Sequence, residues 1–223
     1  MLKLDDASAV LDVASGKGAS AFAVAERFGC QVVGIDLSEA NIAESNAEAL
    51  RRGLSPGVRF VVGDAESLPF DAASFDALLC ECAFCTFPDK PAAAAEFARV
   101  LRPGGRVGMS DLTRSGAPLP DLAGLLAWIA CIADAQPLER YAQWLAEASF
   151  NVTAAITRDR ALEAMVEQVR GKLLLADIAI GLKKLELPGL DLDRAKQFAA
   201  AAGQAVKEKK LGYACLVAES HRG

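Results

Sequence analysis

Histidine is nearly missing from this chain: one residue, His221, stands in 223. That excludes a histidine-rich metal site and points either to a soft reactant that is already ionised or to an Asp or Glu base. His221 is third from the C-terminal end, where a frayed surface residue is expected rather than a catalyst. Long apolar runs are missing as well. The most apolar stretches, such as residues 122–133, stop short of the roughly 20 residues that a helical membrane span needs. No signal-peptide pattern opens the chain, so a cytoplasmic protein without a membrane partner is expected. Dense basic clusters are also lacking. The richest is Lys207-Glu208-Lys209-Lys210, and the net charge is −5, so the electrostatic footprint of a nucleic-acid binder is missing. A small-molecule substrate is expected instead. No repeat or low-complexity linker interrupts the sequence, and a single domain over residues 1–223 follows.

Cysteine is present in a number that needs explaining. There are six, in a domain large enough not to need disulfide staples, so reduced thiols are expected. Cys30 and Cys215 sit in apolar strand-like runs and read as small hydrophobes. Cys80, Cys82 and Cys85 crowd into one six-residue segment, a density that burial does not account for.

The first half alternates short β-branched runs with helical stretches, the pattern of a parallel sheet wound with crossover helices. Strands are expected at residues 9–13, 31–35, 58–62, 75–82 and 106–111, and helices at 20–28, 38–52 (capped by Ser38) and 90–101. Helical patterns follow at 120–133 and 137–148, then a strand at 151–156. Two amphipathic helices, 160–184 and 191–209, are split by Leu187-Pro188-Gly189 and precede a last strand at 212–218. The chain thus divides into an alternating half, 1–118, and a second half, 119–223, with a helical insertion at about 158–210. That insertion is expected to cover the site, to form a homodimer contact, or simply to pack on its own domain.

The strongest motif is Leu11-Asp12-Val13-Ala14-Ser15-Gly16-Lys17-Gly18, a strand entering a turn of small residues that lets backbone approach a ligand closely. Gly16 and Gly18 alone also fit a dinucleotide fingerprint. Three acids decide between the two. Asp12 precedes the glycines, where a carboxylate attracts an amino group and repels a pyrophosphate. Asp36, followed by Leu37, ends the second strand and suits ribose hydroxyls, which either ligand has. Asp64, in Gly63-Asp64-Ala65-Glu66, follows the third strand, where it can accept from an adenine amino group.

These segments, with Val33-Gly34-Ile35-Asp36 and Val100-Leu101-Arg102-Pro103-Gly104-Gly105, resemble the motifs of class I S-adenosylmethionine-dependent methyltransferases. The resemblance implies an α/β, Rossmann-like, seven-stranded sheet with an antiparallel last strand. The cofactor would be S-adenosylmethionine, held by Asp12, Ala14, Ser15, Gly16, Gly18, Asp36, Leu37, Asp64, Ala65, Glu66 and Glu81. Ala14 stands where the family usually has glycine, a mild change that narrows the methionine pocket. Eight residues precede strand one here, whereas that family generally carries N-terminal helices over the cofactor. The late helical pair or a second subunit would then close the site.

A narrower resemblance concerns the acceptor. Glu81-Cys82-Ala83-Phe84-Cys85, running on to Pro88-Asp89-Lys90, is similar to a segment of arsenite methyltransferases, and Cys131 lies where those enzymes hold another cysteine. This implies Cys82, Cys85 and Cys131 as catalytic thiolates holding trivalent arsenic, with no resident metal. The N-terminal cysteines and the C-terminal extension of that family have no match. The alternatives are an organic acceptor, as in quinone and sterol methyltransferases, a non-catalytic cofactor- or metal-binding protein, and an NAD-dependent oxidoreductase.

Overall fold

The structure is a computed structural model and describes residues 2–124, 126–127, 130–182 and 191–221. Strand β1 (Ala9–Val13) is buried along nearly its whole length, as a central parallel strand should be. It enters α1 (Ala19–Phe28) through Gly18 and leaves through Gly29, both left-handed, the conformation that glycine adopts at least cost. Strand β2 (Gln31–Asp36) is followed by α2 (Glu39–Arg51), where the Ser38 hydroxyl accepts from the Asn41 amide as the expected cap. Then come β3 (Val58–Val62), β4 (Phe75–Glu81) and a 3-10 turn over Phe84–Thr86. Helix α3 (Lys90–Val100) starts with Asp89 as cap and a proline in its first turn.

Strand β5 (Leu101–Arg114) is longer than the expected 106–111. Its pairing with β4 jumps from Phe75↔Leu101 to Ala77↔Arg106, so the Arg-Pro-Gly-Gly segment is a bulge inside the strand rather than a turn before it. Helix α4 (Leu138–Glu147), β6 (Phe150–Thr157), α5 (Asp159–Gly181), α6 (Leu192–Lys207) and β7 (Leu211–Ser220) complete the order. Of the helix expected over 120–133, residues 125, 128 and 129 lie outside the described residues; the others form turns, apart from a short helical stretch at 126–127. Residues 183–190, which include Lys184 and the Leu-Pro-Gly separator, also lie outside them.

The seven strands are ordered β3-β2-β1-β4-β5-β7-β6. Neighbours from β3 to β5 are parallel. Strand β7 runs against its neighbours: Ser115 donates to Lys210 while Arg106 meets Glu219, and Arg158 donates to Tyr213 while Thr153 donates to Val217. The expected antiparallel last strand is therefore present. Strand order reverses between β1 and β4, the switch point where doubly wound sheets bind ligands.

The chain forms two compact units, one running to Asp111 and including Glu139–Ile156 and the chain from Cys215, the other made of Leu112–Leu138 and Thr157–Ala214. In the first, Phe22, Val32, Ile42, Val58 and Phe60 join α1 and α2 to one sheet face. In the second, Leu162 and Val166 of α5 and Ala202, Ala205 and Val206 of α6 share a core with Leu112 and Leu211. The late helical pair thus builds a core of its own. Among the described residues no helix is long and apolar enough to cross a membrane.

Candidate cofactor site

The turn after β1 departs from ordinary backbone three times in five residues: Ala14 at φ 53°, Gly16 at 53° and Gly18 at 80°. Ala14 is no longer a mild change. A left-handed conformation costs a residue with a Cβ roughly 1 kcal/mol relative to glycine, so the surrounding bonds must hold it. They do: Ser15 donates to the Ile35 carbonyl at 2.9 Å, Gly16 to Asp36 Oδ2 at 2.8 Å and Gly18 to the Ser15 carbonyl at 2.8 Å. The glycines differ in purpose. A Cβ on Gly18 would lie 2.5 Å from the Phe60 ring and one on Gly34 2.2 Å from it, so both yield space to that ring. A Cβ on Gly16 would meet nothing within 4 Å, so this glycine serves backbone conformation and an open face.

Asp12 is 2% exposed, and its Oδ2 has no hydrogen-bond partner; the buried Ser15 Oγ is likewise unpartnered. Burial first, then the Glu81 charge, raises the Asp12 carboxyl to about 7, against a lowering contribution from the Ala21 amide and a smaller raising one from Asp36. Glu81, exposed at the end of β4, accepts from the Ser20 hydroxyl.

Asp36 accepts from the Gly16 amide, the Ser38 amide at 2.9 Å and the Asn41 side chain at 3.4 Å. Its carboxylate is thus positioned from three sides, with acceptor capacity remaining. Asp64 accepts from the Glu66 amide at 2.9 Å and stays exposed. A cavity of about 230 Å³ gathers Ala14, Asp36, Leu37, Asp64, Ala65 and Glu66 against Thr86, Phe87 and Pro88. Asp12, Ser15, Gly16, Gly18 and Glu81 do not line it. The Thr86–Pro88 wall was missed by sequence reasoning, although it lies within the segment read for the acceptor. The residues present suit a ligand that carries hydroxyls and a cation. Orphaned Asp12 and the exposed Glu81 offer acceptors without a basic partner, and Lys17 is engaged with Glu44.

The cysteines differ in their surroundings. Cys80 is fully buried, and burial followed by the Asp111 charge pushes its thiol well above the ordinary range, so it is no thiolate. Cys85 is 1% exposed, and its amide donates to Asp111 Oδ2 at 2.8 Å. Cys82 is partly exposed, at φ 50°, with its amide bonded to the Ser110 carbonyl. Cys131 belongs to the other unit and packs against that unit's core. Among the described residues no three His, Cys, Asp or Glu side chains gather as a metal site. His221 is exposed, with its backbone amide donating to Ser149.

A family described as a methyltransferase domain matches residues 11–109, which contain all three strand-end acids. Over those residues the chain belongs to the class I S-adenosylmethionine-dependent methyltransferase family. Nocamycin O-methyltransferase of Saccharothrix syringae is 45% identical over 103 residues, covering 45% of this chain and 36% of that protein. Arsenite methyltransferase of Halobacterium salinarum is 30% identical over 158 residues, covering 69% of this chain and 40% of that protein. The chain therefore spans less than half the length of these two relatives. A putative sarcosine dimethylglycine methyltransferase from Galdieria sulphuraria has the same fold, with a TM-score of 0.84 at 18% identity, covering 99% of this chain and 81% of that one.

Proposed function

We propose that this chain binds S-adenosylmethionine at the ends of β1, β2 and β3 and transfers its methyl group to a small organic acceptor. The observation that carries the reading is the cavity that gathers Ala14, Asp36, Leu37, Asp64, Ala65 and Glu66 from the segments that follow β1, β2 and β3. Asp36, held by the Gly16 and Ser38 amides, has acceptor capacity left for ribose hydroxyls, and Asp64 for an adenine amino group. Asp12 and Glu81 favour a cation at the methionine end. The Glu81 carboxylate, and the lack of a basic side chain paired with Asp12, Asp36 or Glu81 among the described residues, oppose a pyrophosphate, which is the physical case against a nicotinamide dinucleotide. S-adenosylmethionine supplies an electrophilic methyl on a sulfonium. The protein's part in such a displacement is alignment and desolvation of the acceptor rather than covalent catalysis.

The surroundings of the thiols support an organic acceptor. Cys80 and Cys85 are packed in the core, and Cys80 is held protonated, so a small organic nucleophile is the better reading. Methylation of an organic acceptor also agrees with the O-methyltransferase that is 45% identical over its matched region. A second reading, transfer to trivalent arsenic, has one specific support: Cys82 is partly exposed at the end of β4, where the arsenite relative's sequence is similar.

Both readings are tested together by incubating the reduced protein with S-adenosylmethionine and either arsenite or a panel of small phenols, amines and carboxylates. Methylated product is followed by mass spectrometry. A methylated organic product supports the first reading. Methylated arsenic that disappears in Cys82→Ser supports the second. Cofactor binding without any methylated product points to the non-catalytic alternative.

A further inference from the structure

Asp12 is a buried acid with nothing to neutralise it. Register places it between Gly34 of β2 and Leu79 of β4, in the middle of the parallel sheet, and its Oδ2 makes no hydrogen bond. Every element packed around it presents either negative charge or no charge. Strand β4 supplies Glu81 and the Cys80 thiol, with Asp111 beyond that thiol; β2 supplies Asp36; α1 supplies the Ser20 hydroxyl, bonded to Glu81, and the Ala21 amide. None of Asp12, Asp36 and Glu81 forms an ion pair among the described residues, and the nearby Lys17 pairs with Glu44. A desolvated carboxylate facing two like charges keeps its proton until a cation takes the proton's place.

We propose that Asp12 is a proton-exchange site: when the ammonium of S-adenosylmethionine binds, the Asp12 carboxyl releases its proton to solvent, so that cofactor affinity is coupled to pH. The proposal rests on the cofactor reading above. No covalent bond is made or broken; one O–H proton passes to buffer and one ammonium charge arrives. The coupling belongs to the ammonium rather than to the sulfonium, so S-adenosylhomocysteine, which keeps the amino group, releases the proton equally. Methylthioadenosine, which lacks it, does not. The raised carboxyl of Asp12, at about 7, sets the range in which the exchange is visible.

The test is titration calorimetry of the wild-type protein with each ligand in two buffers of different ionisation enthalpy, between about pH 5.5 and 7, where an α-amino group stays protonated. The expected result is release of close to one proton at the acid end. The affinity for S-adenosylmethionine should rise by about tenfold per pH unit there and flatten as Asp12 ionises. Asp12→Asn should bind more weakly, with no proton release and no pH slope. Release of no proton by wild type on tight binding overturns the proposal while leaving the cofactor reading intact. An unchanged proton count in Asp12→Asn does the same. Binding of none of the three ligands at any pH overturns both.

Discussion

The ends of β1 to β3 and the ends of β4 and β5 carry polar groups of similar kinds, yet the two regions treat them in opposite ways. At the first, Ala14 is held left-handed, Asp12 Oδ2 lacks a hydrogen-bond partner, and Asp36 and Asp64 line a cavity. At the second, Asp111 binds the Cys85 amide, Cys80 is sealed in, and Phe84 packs against Phe97, Tyr141 and Trp144 at ring separations of 5.9 to 6.1 Å. Strain and unmet polarity mark the place where a ligand is expected; satisfied polarity under aromatic rings marks core. Cys82, partly exposed, stands at the border between them.

Removing the aromatic hub tests the sealed side and should give the largest effect. Phe84→Ala opens a cavity beneath three rings and should cost about 3–5 kcal/mol in chemical denaturation. A loss below about 1 kcal/mol would mean that this region is not the packed core described.

The open side makes the contrary prediction at Asp12. Its carboxyl is raised from 3.8 to about 7, so the folded state binds the proton more tightly than the unfolded chain. Stability from this group is therefore complete below the lower value, declines as pH rises between the two, and stays low above about 7. Asp12→Asn should be more stable than wild type at alkaline pH by up to about 4 kcal/mol, with the difference shrinking as pH falls. Equal melting temperatures across that range would remove the claim that the site is maintained at the expense of stability.

Smaller effects sharpen the comparison within the turn. Gly18→Ala places a methyl against Phe60 in a left-handed position, and about 2 kcal/mol should be lost in thermal unfolding. Ala14→Gly relieves strain and should gain about 1 kcal/mol or less, because glycine also loses more freedom on folding. If Ala14→Gly were instead destabilising, the Ala14 methyl would have to contribute packing that outweighs its backbone conformation.

Local chemistry was legible in the sequence. Strand β3 falls at 58–62 as expected, and Ser38 caps α2, because alternation and capping are written within a few residues. The three strand-end acids were found for the same reason. What depends on distant partners was not legible. Asp111 meets the Cys85 amide across 26 positions, and Tyr141 and Trp144 reach Phe84 from a later helix, so the burial of Cys85, one of the three expected thiolates, is not written in its own segment. The bulge that extends β5 back to Leu101 is likewise set by pairing with β4. Nor does sequence show that Ala14 is left-handed, since alanine gives no sign of it; only the bonds from Ser15 and Gly16 to β2 reveal what holds it.

The most direct test of the central claim is calorimetric titration of S-adenosylmethionine into the wild type and into Asp36→Ala, whose carboxylate both lines the cavity and ties down the Gly16 amide. Saturable one-to-one binding to wild type, weakened at least about tenfold (about 1.4 kcal/mol) in the variant, is the predicted result. Equal affinity in the two proteins would contradict the assignment of the site, and no binding to either would contradict the cofactor.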